Sequence, residues 1–85
     1  MRKTHFIFKS YDQDSQLYAD GCNSIIFLNA GTNTCTINGT IILATNASIS
    51  LNGNIGDQDH THYSIRFAGA GTNILNTISK FDSEL

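Results

Sequence analysis

No apolar run in this chain approaches the roughly 18 residues of a membrane-spanning helix, so no membrane span is expected. Basic residues are scarce as well. Lys and Arg number five among 85 residues, the formal charge is −2, and only Arg2 and Lys3 adjoin. A nucleic-acid binder needs a basic face to displace counterions from phosphates, so nucleic acid is not an expected partner. Cysteine is limited to Cys22 and Cys35, with no CxxC spacing. That count excludes a dense disulfide framework, and the two thiols read as partly buried small hydrophobes. Proline is absent altogether, which by itself selects no fold.

The segment Met1 to Phe8 begins like the charged part of an export signal. Its apolar portion ends at Lys9, short of the 7–15 residues such a signal needs, and no small-residue cleavage site follows. It reads as a first strand, with Phe6 and Phe8 on one face and His5, Ile7 and Lys9 on the other. Synthesis and folding in a cytosol are expected. At this length the chain forms one domain, residues 1–85, with a thin margin of stability that assembly would supplement.

What the sequence does contain is β-strand and turn chemistry. Thr34 to Leu43 holds two β-rich runs joined by Asn38-Gly39, the dipeptide best suited to the two positive-φ positions of a type I′ hairpin. A two-residue loop sets Ile37 opposite Thr40 and Thr36 opposite Ile41. Cys35, Ile37 and Ile42 then face the core, and Thr34, Thr36, Ile41 and Leu43 face outward. Ser24 to Asn29 is a nearly continuous apolar run, the pattern of a strand buried on both faces. Ala47 to Leu51 and Thr61 to Phe67 alternate, with Ile49, Leu51, Tyr63, Ile65 and Phe67 inward. Gln16 to Ala19 reads as a short strand before an Asp20-Gly21 turn. Asn73 to Phe81 fits a helical stripe in its apolar spacing, but its Asn, Thr, Ser and Ile content favours a strand. The string Ala-Gly-Thr-Asn occurs at residues 30–33 and again at 70–73, and reads as shared turn chemistry. Six or seven short strands with frequent turns predict an all-β fold, a single antiparallel β-sandwich of jelly-roll-like form.

The densest group of reactive side chains is Asp57-Gln58-Asp59-His60-Thr61-His62. At strand spacing His60 and His62 project from one face, which makes them the candidate metal ligands. A His-x-His pair also occurs in cupins, but that motif continues to a Glu and a third His. Here Tyr63 to Phe67 supplies no acid and no His follows His62. The carboxylate pairs Asp12/Asp14 and Asp57/Asp59 lie in polar loops, where solvation keeps acids ordinary. No serine occupies a strand–turn–helix elbow, and no lysine follows Gly53 and Gly56 at phosphate-loop spacing. No catalytic residue and no cofactor are expected. Tyr11 and Tyr18, flanking the acidic loop, suit a carbohydrate-binding platform as the alternative to plain packing.

Four phrases in the span Ser24 to Phe67 carry a resemblance: Ile25 to Thr32, Ile37 to Leu43, Ser48 to Asn54, and Asp59 to Phe67 with its Thr61, Tyr63 and Ser64. Together they resemble small all-β virion proteins of tailed bacteriophages, of capsid-decoration, head-fibre or neck type. The resemblance implies a non-enzymatic structural protein whose partners are other copies of itself and other virion proteins, made in the host cytoplasm and ending in the virion. It assigns no site residues. From the hairpin pattern, the partly apolar outward face with Ile41 and Leu43 is the expected self-association patch.

Overall fold

The computed structural model of the chain describes residues 2–54, 56–69 and 71–84. They form eight strands: β1 (Arg2–Tyr11), β2 (Ser15–Tyr18), β3 (Ser24–Asn29), β4 (Cys35–Ile37), β5 (Ile41–Leu43), β6 (Ser48–Asn52), β7 (His62–Phe67) and β8 (Leu75–Glu84). The segment with ambiguous spacing near the C-terminus is therefore strand. Two four-stranded sheets result, with orders β1-β8-β3-β6 and β2-β7-β4-β5, antiparallel at every contact. The strands pair first with last, second with seventh, third with sixth and fourth with fifth. One long folded hairpin has been rolled up so that its two ends close on each other, which is the jelly-roll form of a β-sandwich.

Alternation along the strands builds the core between the sheets. Ile25 and Phe27 from β3 and Leu75 from β8 meet Leu17 from β2, Ile37 from β4 and Ile65 from β7. The Phe27 and Tyr63 rings join the two layers edge to face, 5.2 Å between centroids. Cys22 and Cys35 are both fully buried free thiols within this core.

The hairpin differs from expectation by one residue. Asn38 and Gly39 do take positive φ (54° and 67°), and the Thr40 N–H donates to the Ile37 carbonyl, closing the tight turn. Thr40 nevertheless stays out of the ladder, so Ile37 opposes Ile41 and Cys35 opposes Leu43. Burial decides the register. This pairing turns Cys35, Ile37, Ile41 and Leu43 inward, whereas the two-residue loop turns only Cys35, Ile37 and Ile42 inward. β7 reinforces it: the Asn38 N–H donates to the Ser64 carbonyl, and the Ser64 N–H donates to Asn38 Oδ1 at 2.7 Å.

β3 corrects a second expectation. It is buried on one face only, with Ile25, Phe27 and Asn29 inside while Ile26 and Leu28 stand exposed. The strand is central in its sheet, but nothing among the described residues covers that sheet's outer side.

The repeated Ala-Gly-Thr-Asn strings lie against each other beyond the ends of β3 and β8; Ala70 itself falls outside the described residues. Ala30 N–H donates to the Ile74 carbonyl and Thr32 N–H to the Thr72 carbonyl, continuing the β3–β8 register. Asn33 Nδ2 donates to Asn73 Oδ1 at 2.7 Å. Gly31 is required by the closeness of this approach, since a Cβ there would collide with the Thr72 carbonyl oxygen.

Asn29 is fully buried and ties three segments together. Its Nδ2 donates to the Asn33 carbonyl (2.8 Å) and the Leu43 carbonyl (2.9 Å), and its Oδ1 accepts from the Gly31 N–H. Asn29→Ala removes these three hydrogen bonds from the buried interior, and urea titration is expected to show a loss of about 3 kcal/mol in unfolding free energy. Thr77 presents the opposite case. It is buried with its hydroxyl unpaired, so Thr77→Val is expected to raise the urea midpoint, by about 1 kcal/mol of stability.

Candidate functional site

The loop from Asp57 to His62 is stapled to the turn around Asp20. Gly21 N–H donates to the Asp59 carbonyl and Asp59 N–H to the Cys22 carbonyl, while Ala19 N–H donates to the Thr61 carbonyl. Asp20 and Gly21 both take positive φ, as the turn reading anticipated. Asn23 holds the loop's other limb, its Nδ2 donating to the Asn54 and Asp57 carbonyls. An open hollow of about 410 Å³ lies between Asn23, Leu51, Asn52 and the loop residues Gly53, Asp57, Gln58 and Asp59.

The acids bordering this hollow serve the loop itself. Asp57 accepts from the Asn54 N–H at 2.8 Å. Asp59 accepts from the Thr61 N–H at 2.8 Å through one oxygen and from the Tyr63 hydroxyl at 2.5 Å through the other. Burial pulls the Asp59 carboxyl upward, but the hydrogen bonds from Thr61 and Tyr63 outweigh it and hold the group below its usual value. The Tyr63 hydroxyl moves the other way, pushed up to about 12 by burial and by its bond to Asp59. These two groups form a structural clamp between loop and core.

The candidate metal ligands do not converge on a common point with a third ligand. His60 Nε2 lies 3.3 Å from Gln58 Oε1, and the exposed His62 packs its ring against Tyr18, 4.4 Å between centroids. Among the described residues no group of three or more His, Cys, Asp or Glu side chains is placed to hold an ion. Burial, the leading cause, pushes both the Cys22 and Cys35 thiols up, the reverse of what a nucleophile needs. Tyr11 is half-buried against the core, and Tyr18 is exposed but engaged by His62.

The expected self-association pair is corrected by the hairpin register. Leu43 is in the core at 4% exposure and Ile41 is half-buried against it, whereas Ile42 points out at 69%. The extensive apolar surface lies instead on the outer face of the β1-β8-β3-β6 sheet. Phe8, Ile78 and Ile26 form one row across three strands, with Phe6 and Leu28 on the rows to either side. Phe6 and Phe8 are 56% and 66% exposed, Ile26 and Leu28 37% and 39%. The outer face of the second sheet is polar by comparison, with Gln16, Ser64, Arg66 and Thr36 beside Tyr18, His62 and Ile42. The alternation of β1 and the apolar run of β3 both announced these side chains. Their alignment across β8 was not legible before the strand order was known.

Compared with family models and with curated proteins, the chain matches none.

The clamp sets a pH dependence of stability. Asp59 has a lowered carboxyl pKa when folded, so its contribution is complete above the unfolded carboxylate value and is lost as pH falls through the folded one. Tyr63 has a raised pKa, so its contribution is complete below pH ~10 and is lost as pH rises toward about 12. Tyr63→Phe is expected to lower stability at neutral pH by about 1.5 kcal/mol and to flatten the alkaline limb between those values. Urea midpoints measured from pH 7 to 12 check both effects.

Proposed function

We propose that this chain is a non-enzymatic structural protein of a phage virion, assembling with itself or with the capsid or neck through the surfaces of its β-sandwich. The observation that carries the reading is the contrast between the two outer faces. Phe6, Phe8, Ile26 and Leu28 together leave on the order of 400 Å² of apolar side chain in water, a patch size often tied to function on a monomer. The strand β3 has the composition of one covered on both sides, and a protein neighbour supplies the missing cover. The carboxylates of the Asp57 to His62 loop are spent on backbone and tyrosine partners, which favours a scaffold over a catalyst.

The jelly-roll form serves viral capsid proteins, lectins and cupins alike, so the fold does not choose among them. The virion setting rests on the resemblance of Ser24 to Phe67 to small phage structural proteins. Two observations test it together: the neighbouring genes, and mass spectrometry of purified particles from a host that carries this gene. Genes for capsid, portal or terminase beside this one, and the chain present in particles in stoichiometric amount, are the expected results. Particles lacking the chain while it accumulates free in the lysate would overturn the proposal. Phe8→Glu, which puts a charge in the centre of the apolar row, is expected to reduce incorporation at least about tenfold while the isolated protein still folds, as an interface anchor would.

A further inference from the structure

Four strands end the two sheets, and they are not alike. β2, β5 and β6 are four, three and five residues long. β1 is ten residues long and runs beside β8 from Arg2 to Tyr11 without a break in register. Natural edges are blunted by shortness, proline, bulges or charged side chains, lysine above all. β1 has no proline, glycine or bulge, and its two lysines, Lys3 and Lys9, flank an uncharged apolar middle, Phe6-Ile7-Phe8. Every residue from Lys3 to Ser10 is exposed, so the second sheet does not cover its inner side either. Its first four residues pair only with Phe81–Glu84 of β8, past the point where β3 begins at the level of Lys80. A two-stranded ribbon with two open sides is marginal in water.

We infer that β1 pairs edge to edge with β1 of a second copy, antiparallel about a two-fold axis through Ile7, joining two four-stranded sheets into one of eight. This deepens the assembly reading above and rests on it, naming the partner and the contact. A second copy is the occupant because an antiparallel strand edge is its own complement: one two-fold operation makes it both donor and acceptor. Charge selects the register. An axis through Phe6 sets each Lys3 opposite a Lys9, a like-charge pair twice over. An axis through Phe8 sets each Ile7 opposite a Lys9. An axis through Ile7 sets Phe6 of one copy opposite Phe8 of the other, twice, and places Lys3 opposite Tyr11 and Lys9 opposite His5, so no lysine faces another. Pairing from Lys3 to Tyr11 then forms on the order of eight to ten main-chain hydrogen bonds, as many as a standard interface carries.

Cross-linking reads the register directly. Residues directly opposite have Cβ atoms about 4.5–5.5 Å apart and diagonal ones about 7–8 Å, and only the former approach disulfide distance. The native thiols are buried, so the unmodified chain is the uncross-linked control. Ile7→Cys under mild oxidation is expected to give mostly covalent dimer, and Phe6→Cys or Phe8→Cys at least about fivefold less. The unmodified chain is expected to sediment as a dimer at about 100 µM, above the micromolar Kd that an interface of this class reaches at its weakest. Ile7→Lys is expected to sediment as a folded monomer with unchanged circular dichroism. A strictly monomeric unmodified chain, a dimer that survives Ile7→Lys, or stronger cross-linking at residue 6 or 8 than at 7 would each overturn the inference. A monomer found in particles would leave the assembly reading standing without this contact. A cross-linked dimer absent from particles would do the reverse.

Discussion

The roll depends on two buried amides at the two ends of β3. Asn23 precedes the strand and Asn29 closes it, and both point into the structure rather than into water. Asn29 binds the β4–β5 hairpin through the Leu43 carbonyl and the turn leading into it through the Asn33 carbonyl. Asn23 binds the loop between β6 and β7 through the carbonyls of Asn54 and Asp57. Their main chains join in: Asn23 N–H donates to the Lys80 carbonyl and Asn46 N–H to the Asn29 carbonyl. A sheet ladder secures strands side by side but says nothing about how the connections cross between layers. In a domain with so small a core, two buried side-chain amides make those crossings specific, because each misplaced connection strands a buried donor or acceptor.

Much of this architecture was legible from residue order, and the limits have physical causes. The turns at Asp20 and Asn38 were plain, since among the described residues every non-glycine position with positive φ is Asn or Asp, these two and Asn46. The faces of β7 followed from alternation. The hairpin register did not, because turn chemistry and inward burial compete there and only the partner β7 reveals which prevails. Asn38 is claimed by Ser64 on its other side, a constraint 26 residues away in sequence. The two Ala-Gly-Thr-Asn strings were visible as a recurrence but not as a contact. Their meeting requires β3 and β8 to be neighbours, which no local pattern states.

The Asp57 to His62 cluster is rich in reactive groups and is nonetheless a clamp. A six-residue string can place two acids and two imidazoles close in sequence, but chemistry needs them to converge with free lone pairs. Here both oxygens of Asp59 are engaged by Thr61 and Tyr63, and the imidazoles go to separate partners, Gln58 and Tyr18. Density of functional groups in a loop is what a tight, self-capped turn also requires. The distinguishing feature is where the hydrogen bonds go, and that is visible only after folding.

The asymmetry between the two outer faces then has an energetic cost. In water the row Phe8, Ile78, Ile26 is a standing penalty at roughly 25 cal/mol per Å² of exposed apolar surface. A monomeric protein of this size has little stability to spare for it. Replacing these residues by Thr or Ser would keep β-propensity and remove the penalty, and the opposite sheet largely does so with Thr36, Ser64 and Gln16. The chain therefore has the means to make a polar outer face, and on the first sheet it confines them to the positions around the apolar row, at Ser24, Ser48, Ser50 and Asn76. The apolar side is also the side whose edge strand is longest and least protected. Face and edge coincide on β1, where the exposed Phe6 and Phe8 lie both on the apolar outer face and on the longest edge strand.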